Sequence, residues 1–202
     1  MQQLAYRLAG YSVVAWLLSG CSQTLHRQTC VALPSEVTYC LAPLRGSQSQ
    51  QAPQAERSLT QQSTIKTQSS QHELLTQLDV TPQQLTLVGL APLGQPLFTL
   101  TYDGQQLLSK QSTLLGSQFK AEYLLAIMQL IYWSEDSINP NIQHGYIENY
   151  PCEAGYCRQL WADKSRSKTP IINIHYSQYN PWQANVKLNI DAANFELIIN
   201  PL

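Results

Sequence analysis

The sequence predicts a mainly β (α+β) fold: a curved antiparallel open β-barrel with one apolar helix, at about residues 120–133, against its concave face. Most of the chain after residue 58 places apolar residues at every second position, which is typical of strands with one buried face. Residues 120–133 have clear helical spacing, whereas residues 72–80 favour a strand but also allow a helix. The strands after residue 133 are joined by turns alone. Strands joined by short turns pair antiparallel, and a curved sheet can bury a helix that is apolar on most sides.

The N-terminus has the three parts of a secretory signal peptide. Arg7 supplies a positive charge, residues 8–18 are mostly apolar, and the small residues Ser19 and Gly20 precede Cys21. The apolar run is shorter than the ~20 residues that span a bilayer. With cysteine at the cleavage point the segment resembles a bacterial lipobox. We therefore expect residues 1–20 to be a lipoprotein signal peptide and Cys21 to be lipidated; an ordinary signal peptide or a short buried helix are the alternatives.

Residues 21–57 are predicted to be a lipidated flexible tether with a Cys30–Cys40 loop. The end of this segment, residues 45–57, is rich in glutamine and serine, as flexible spacers are. The β domain is therefore expected to span residues 58–202. Its size fits a single domain.

Ten segments of the predicted domain have strand character. Asp103-Gly104 separates two of them, and this pair is typical of a two-residue type I′ hairpin turn. The predicted strands are 59–68, 72–80, 84–90, 96–102, 105–110, 143–149, 157–162, 171–177, 184–190 and 195–200.

The segment at 120–133 changes from period two to helical spacing. Its apolar stripe is broken clearly only by Glu122 and Gln129. The stripe consists of Ala121, Leu124, Leu125, Met128, Ile131 and Tyr132, widened by Ile127 and Leu130. We expect this helix to be covered on most of its surface.

The cysteine count fits an oxidising compartment. If Cys21 carries lipid, four cysteines remain, and the pairs Cys30–Cys40 and Cys152–Cys157 each close a short loop. We therefore predict these two disulfides and no metal site. The alternative is zinc bound by Cys152 and Cys157 together with His144 or His175, although structural zinc ligands usually have tighter spacings.

Motifs for catalysis and for nucleic-acid binding are missing from the sequence. It contains no Gly-x-Ser-x-Gly elbow, phosphate loop or His-Glu-x-x-His motif, so we expect a non-enzyme with no catalytic residues and no cofactor. The net charge of −1 and the lack of a basic run argue against nucleic acid as a partner.

Aromatic residues crowd the second half of the chain and suggest an apolar cavity. Core packing and cross-strand pairing are the alternative explanation for each of them. The candidates for lining the cavity are Leu124, Leu125, Met128, Tyr132, Trp133, Trp161 and Trp182.

The motifs from Leu87 to Gly104 and from Ala121 to Trp133 resemble those of the DUF3261 family of bacterial lipoproteins. Arg158-Gln-Leu160, Ile174-His-Tyr176 and Trp182 are similar to the C-terminal pattern of that family. The resemblance implies a LolA/LolB-like fold, an unclosed barrel with helices as a lid. It also implies an association with aryl polyene biosynthesis genes of Gram-negative bacteria, and no established activity. The cysteine pairs are not part of the family pattern.

These features together predict a lipoprotein of the outer membrane that faces the periplasm. Ser22, rather than aspartate, resembles the signal for passage to that membrane. The expected partners are the membrane, through the N-terminal lipid, and an apolar or acylated ligand such as a polyene lipid or a lipoprotein acyl chain. Leu114-Leu115 is a candidate exposed apolar tip, but packing of these two leucines against the core beside the helix is the favoured alternative. The alternative function is a non-catalytic assembly or scaffold lipoprotein that binds a partner protein of a cell-envelope system.

Overall fold

The computed structural model describes residues 23–44, 56–115, 120–152, 155–163 and 169–202. Cys21 and residues 45–55 of the predicted tether lie outside these ranges. Within them the strands are β1 (Gln23–Arg27), β2 (Cys30–Ala32), β3 (Thr38–Cys40), β4 (Arg57–Lys66), β5 (Gln71–Val80), β6 (Leu85–Leu90), β7 (Pro96–Tyr102), β8 (Leu107–Gln111), β9 (Ile142–Gln143), β10 (Tyr146–Cys152), β11 (Gly155–Trp161), β12 (Ile172–Tyr176), β13 (Val186–Ile190) and β14 (Phe195–Pro201). The α-helices are α1 (Ala121–Tyr132) and α2 (Glu135–Ile138).

Eleven strands form one large antiparallel sheet in the order β1-β8-β7-β6-β5-β4-β14-β13-β12-β11-β10. Two series of hairpins, β4 to β8 and β10 to β14, meet where β4 pairs with β14. The sheet does not close: among the described strands, β1 and β10 each have a neighbour on one side only. The open, curved, mainly β prediction is confirmed, and each predicted strand is present with its ends moved by at most three residues.

Alternating burial along the strands explains why the sequence forms this sheet. In β6 every second residue is buried, and β12 and β13 repeat this pattern. The inward residues, among them Leu78, Leu87, Leu100 and Leu188, belong to one hydrophobic core. Burial of each such side chain stabilises the fold by roughly 1.5–3 kcal/mol.

Helix α1 is held in the concave side of the sheet. All of its residues except Tyr123 are buried, as the unusually wide apolar stripe predicts. Side chains from β4, β11 and β12 make hydrogen bonds to it, so it contacts strands from both halves of the sheet. No helix among the described residues is long and apolar enough to cross a membrane.

The structure corrects the predicted tether at residues 23–44, which belong to the fold. Strand β1 pairs with β8 at the edge of the main sheet, and β2, β3 and β9 form a second, three-stranded sheet. Val37 and Tyr39 are fully buried in the core. Strands of three residues such as β2 and β3 are too short for period-two alternation to be recognised, which explains the error.

The hairpin at Asp103-Gly104 is confirmed, but its turn is longer than predicted. Four residues, Asp103 to Gln106, connect β7 to β8. The Asp103 carboxylate accepts hydrogen bonds from the backbone N–H groups of Gln105 and Gln106, and these bonds hold the pKa of this carboxyl below its usual range. Gly104 alone takes a positive φ, of 95°, whereas a type I′ turn needs two such residues.

Candidate functional site

The candidate site is the space between helix α1 and the concave face of the sheet. Leu125, Met128 and Trp133 are at most 1% exposed, and Leu124 and Tyr132 are 7% and 3% exposed. All five belong to the single hydrophobic core. The structure therefore places these predicted cavity residues together, in the packed interior.

A polar contact joins the middle of the sheet to the helix. Gln61, on β4, is fully buried and accepts a hydrogen bond of 2.8 Å from the Tyr132 hydroxyl. Its amide nitrogen lies 3.9 Å from the sulfur of Met128. This amide satisfies the Tyr132 hydroxyl inside the core, where an unpaired hydroxyl costs about 1–3 kcal/mol.

An aromatic cluster extends the predicted site at the end of α1. Trp182 stacks on Tyr132 with ring centroids 4.5 Å apart, and its centroid lies 6.2 Å from that of Trp133. The guanidinium of Arg57 lies 5.0 Å from the Trp182 ring centroid. Trp182 is half-buried, so the cluster reaches from the core to the surface.

Trp161 is placed differently from the other predicted site residues. It ends β11 opposite Tyr146 of β10. Because side chains alternate along a strand, it is on the opposite face from Leu160, which is fully buried in the core. The structure thus gives Trp161 a position on the outer face of the sheet, away from helix α1.

Arg158 holds the C-terminal end of α1, a role that our reading of the sequence missed. It is 3% exposed and donates hydrogen bonds to the carbonyls of Leu130 and Trp133, at 2.6 and 2.8 Å. A third bond, of 3.3 Å, goes to the carbonyl of Ile131. The last turn of α1 contains no basic residue, so the orphan carbonyls at this end obtain their donor from β11. Two features of the sequence could have revealed this role. The last turn of α1 has no basic residue, and Arg158 is two positions from the apolar Leu160, so both side chains face the core.

Residues 29–44, which we call the covering segment, close the remaining side of α1. Val31, Val37 and Leu41 of this segment are buried in the core. Gln129 of α1 accepts hydrogen bonds from the Tyr39 hydroxyl, at 2.7 Å, and from the Ala42 N–H, at 2.8 Å. Its amide nitrogen donates to the Ala42 carbonyl. Gln129, the buried polar residue in the apolar stripe, therefore binds the covering segment to the helix.

The covering segment is also bonded to the sheet. The hydroxyl of Tyr102, on β7, donates to the Leu41 carbonyl at 3.1 Å. Burial raises the pKa of Tyr102 to about 12 and that of Tyr39 above its usual range. Both phenols are therefore neutral donors at ordinary pH.

A comparison with known protein families matches residues 58–202 to the family described as "Protein of unknown function (DUF3261)". The chain belongs to the DUF3261 family. No curated protein matches it. The matched residues of this DUF3261 protein include Arg158, Tyr176 and helix α1, whereas the covering segment and the Cys30–Cys40 pair precede the match.

Both predicted disulfides of the DUF3261 protein are confirmed. Cys30 pairs with Cys40 within the covering segment, and Cys152 pairs with Cys157 across the β10–β11 hairpin. His175, not His144, is the histidine beside the second pair, with its Nδ1 atom 3.0 Å from the Cys157 sulfur. Because the two sulfurs are bonded to each other, neither supplies a thiolate to a metal in this structure.

Among the residues that the structure describes, Leu93 has the most exposed apolar side chain. It is 98% exposed and lies in the turn between β6 and β7. Leu114-Leu115 was the candidate tip, with packing against the core as the favoured alternative. Leu115 packs against the core, and the side chain of Leu114 lies outside the described residues. The apolar tip of this fold is therefore at Leu93.

Proposed function

We propose that this DUF3261 protein is a non-catalytic lipoprotein of the outer membrane that faces the periplasm and binds an apolar or acylated ligand, such as a polyene lipid or a lipoprotein acyl chain. The observation that carries the proposal is the construction of its interior. A curved open sheet surrounds an apolar helix, and a separate segment, residues 29–44, closes the remaining side. Interiors of this kind can accept an acyl chain when the cover moves.

When a ligand enters, its acyl chain replaces the apolar side chains of the covering segment in the core. Moving the covering segment removes Val31, Val37 and Leu41 from the core. An acyl chain that takes their place gains about 0.8 kcal/mol for each buried methylene group. The hydrogen bonds from Tyr39 and Tyr102 oppose this movement, at about 0.5–1.5 kcal/mol each.

The position of β1 supports attachment close to the membrane. Gln23 begins β1 at the edge of the main sheet, two residues after Cys21 in the sequence, and we therefore assign the lipid anchor to this edge. Gln23 pairs with Gln111, which also pairs with Phe98, near the start of β7. The turn that carries Leu93 immediately precedes β7, so the exposed apolar tip and the proposed anchor share one end of the sheet. That end is the one we assign to the lipid surface.

The first test isolates the ligand. A soluble form beginning at Ser22 is purified from the native host, and its lipid extract is analysed by mass spectrometry. A stoichiometric acyl or polyene compound is expected. Protein that contains no such compound, and that also fails to bind a fluorescent fatty acid, would exclude the carrier function.

The second test uses the cover. Tyr39→Phe removes a hydroxyl bond that holds the covering segment, so fluorescent fatty acid should bind roughly 2- to 12-fold more tightly. Tyr176→Phe is the matched control, because its hydroxyl donates to the Ile131 carbonyl and makes no hydrogen bond to the cover. Hydrogen exchange in residues 29–44 should also rise when the ligand binds. Equal affinities for the two variants would contradict entry beneath this segment.

The second candidate is a scaffold for a cell-envelope partner. Its support is the pair of edge strands, β1 and β10, each of which has a single neighbour among the described strands. A partner segment can add to such an edge through main-chain hydrogen bonds. Purified protein without lipid that retains one partner chain would favour this candidate.

A further inference from the structure

The outer face of β10, β11 and β12 carries a disulfide with a histidine beside it. Cys157, on β11, is directly opposite His175 of β12, and the Cys157 sulfur lies 3.0 Å from the His175 Nδ1 atom. The sulfurs of Cys152 and Cys157 and this nitrogen all lie within 4.8 Å of one another. The ligand-binding proposal uses none of these three groups.

Access to the two sulfurs is unequal. Cys157 is 0% exposed, whereas Cys152 is half-buried and lies on β10, the edge strand of the main sheet. His175 is exposed. A nucleophile arriving from solvent therefore approaches from the Cys152 side, and Cys157 would be the leaving group.

The neighbourhood of Cys157 favours a thiolate there. A cysteine beside a protonated histidine or a lysine has a lowered thiol pKa, and a leaving thiol of lower pKa departs faster in disulfide exchange. Lys187 of β13 lies opposite His175 and also forms an ion pair with Glu196 at 2.8 Å. On the other side, Tyr150 of β10 lies opposite Cys157. The titratable groups that face His175 and Cys157 from the neighbouring strands are thus Lys187, Glu196 and Tyr150.

The hairpin does not depend on the disulfide for its pairing. Strands β10 and β11 are in continuous register from Tyr146↔Trp161 to Cys152↔Gly155. Arg158, which donates hydrogen bonds to the carbonyls at the end of α1, and the core residue Leu160 are on the opposite face of β11. Opening the bond therefore leaves both the sheet and the helix contacts in place.

We propose that Cys152, Cys157 and His175 form a thiol–disulfide exchange site whose substrate is the thiolate of a cysteine-containing reductant. The incoming thiolate forms a bond to the Cys152 sulfur, and the Cys152–Cys157 bond breaks with its electron pair on Cys157. The His175 imidazole, with Nδ1 at 3.0 Å from this sulfur, stabilises the Cys157 thiolate by donating a hydrogen bond to it. In the reverse direction this thiolate attacks the Cys152 sulfur and expels the reductant as a thiolate. A dithiol completes a two-electron reduction, because its second thiolate displaces Cys152 from the mixed disulfide.

The test traps the mixed disulfide. The oxidised soluble chain beginning at Ser22 is treated in separate arms with glutathione and with a thioredoxin whose resolving cysteine is replaced by serine. Peptide mass spectrometry should find the adduct on Cys152. Reaction with glutathione alone assigns a small-molecule thiol as the reductant, and reaction with thioredoxin assigns a dithiol protein; either supports the site. No adduct in either arm, or an adduct on Cys157, overturns it.

His175→Asn separates chemistry from structure, because the side chain is exposed and the fold should not change. We expect the variant to slow adduct formation at Cys152 by about threefold at neutral pH. In the reduced protein it should also move the pH profile of Cys157 alkylation to higher pH by about one unit. His72→Asn, at another exposed strand position, is the matched control and should change neither. Identical rates and pH profiles for His175→Asn and the unaltered protein would refute the role of His175.

Discussion

Replacement of Arg158 by methionine tests how the fold holds the end of helix α1. The change keeps a long side chain but removes the guanidinium, which donates to the carbonyls of Leu130, Ile131 and Trp133 and to Asn149 Oδ1. The Ile131 carbonyl keeps the Tyr176 hydroxyl as a donor, at 2.8 Å. The carbonyls of Leu130 and Trp133 lose the donor that Arg158 supplies. Asn149 Oδ1 loses it too, but this side chain is half-buried, so water can replace the donor there.

The magnitude follows from these two acceptors. A buried polar group left without a partner costs about 1–3 kcal/mol, so two cost about 2–6 kcal/mol. Loss of a cation at a helix C-terminus adds up to ~1 kcal/mol. Release of a buried charge from its desolvation penalty offsets part of this sum. We expect Arg158→Met to lower the free energy of unfolding by about 3 kcal/mol.

Urea unfolding of the soluble chain, followed by tryptophan fluorescence and circular dichroism, measures this value. Lys187→Met is the control, because it removes a cation from the exposed ion pair with Glu196, which is worth about 0–1 kcal/mol. A loss below ~1 kcal/mol for Arg158→Met would mean that water replaces the guanidinium. The buried capping role would then be refuted.

Three further predictions concern other buried contacts. Gln129→Leu removes the acceptor of both the Tyr39 hydroxyl and the Ala42 N–H, so it should lower the free energy of unfolding in urea by about 3 kcal/mol. Hydrogen exchange in residues 29–44 should also become faster, and unchanged exchange would contradict the pairing. Burial raises the pKa of Tyr102 to about 12 from 10.0. The neutral phenol therefore stabilises the native state below pH 10, and this contribution is lost as the pH rises toward 12, so Tyr102→Phe should show a shallower fall in stability over that window; parallel curves would argue against it. Gly89→Ala places a methyl group against the Phe98 ring and should lower the free energy of unfolding by about 1–3 kcal/mol. In a double-mutant cycle, Phe98→Leu should relieve this loss.

The strands and helix α1 were predictable because their signals are local. Alternation along β6 reports burial on one face, and the wide stripe from Ala121 to Tyr132 reports burial all round. The two disulfides were predictable because each closes a short loop. These features require no knowledge of distant residues.

The contacts that organise the site depend on residues far apart in the sequence. Gln129 reaches Ala42 across a separation of 87 residues, and Arg158 reaches the end of α1 from another strand. A polar residue within an apolar stripe marks a buried hydrogen bond without naming its partner. The covering segment was missed for a related reason: Gln129, Tyr102 and strand β9, which hold its short strands, are all distant in the sequence.

The position of β14 near the middle of the main sheet determines when the sheet can finish folding. This strand joins the two series of hairpins, and its Glu196 bonds to Lys66 at a separation of 130 residues. Hairpins within each half can form early, but pairing over such a separation is slow to nucleate. Until residues 195–201 arrive, each half exposes an apolar face and an unpaired strand edge, the features that promote aggregation. A chain cut before residue 195 therefore loses the junction of its sheet rather than a terminal strand, and we expect it to form two unpaired halves.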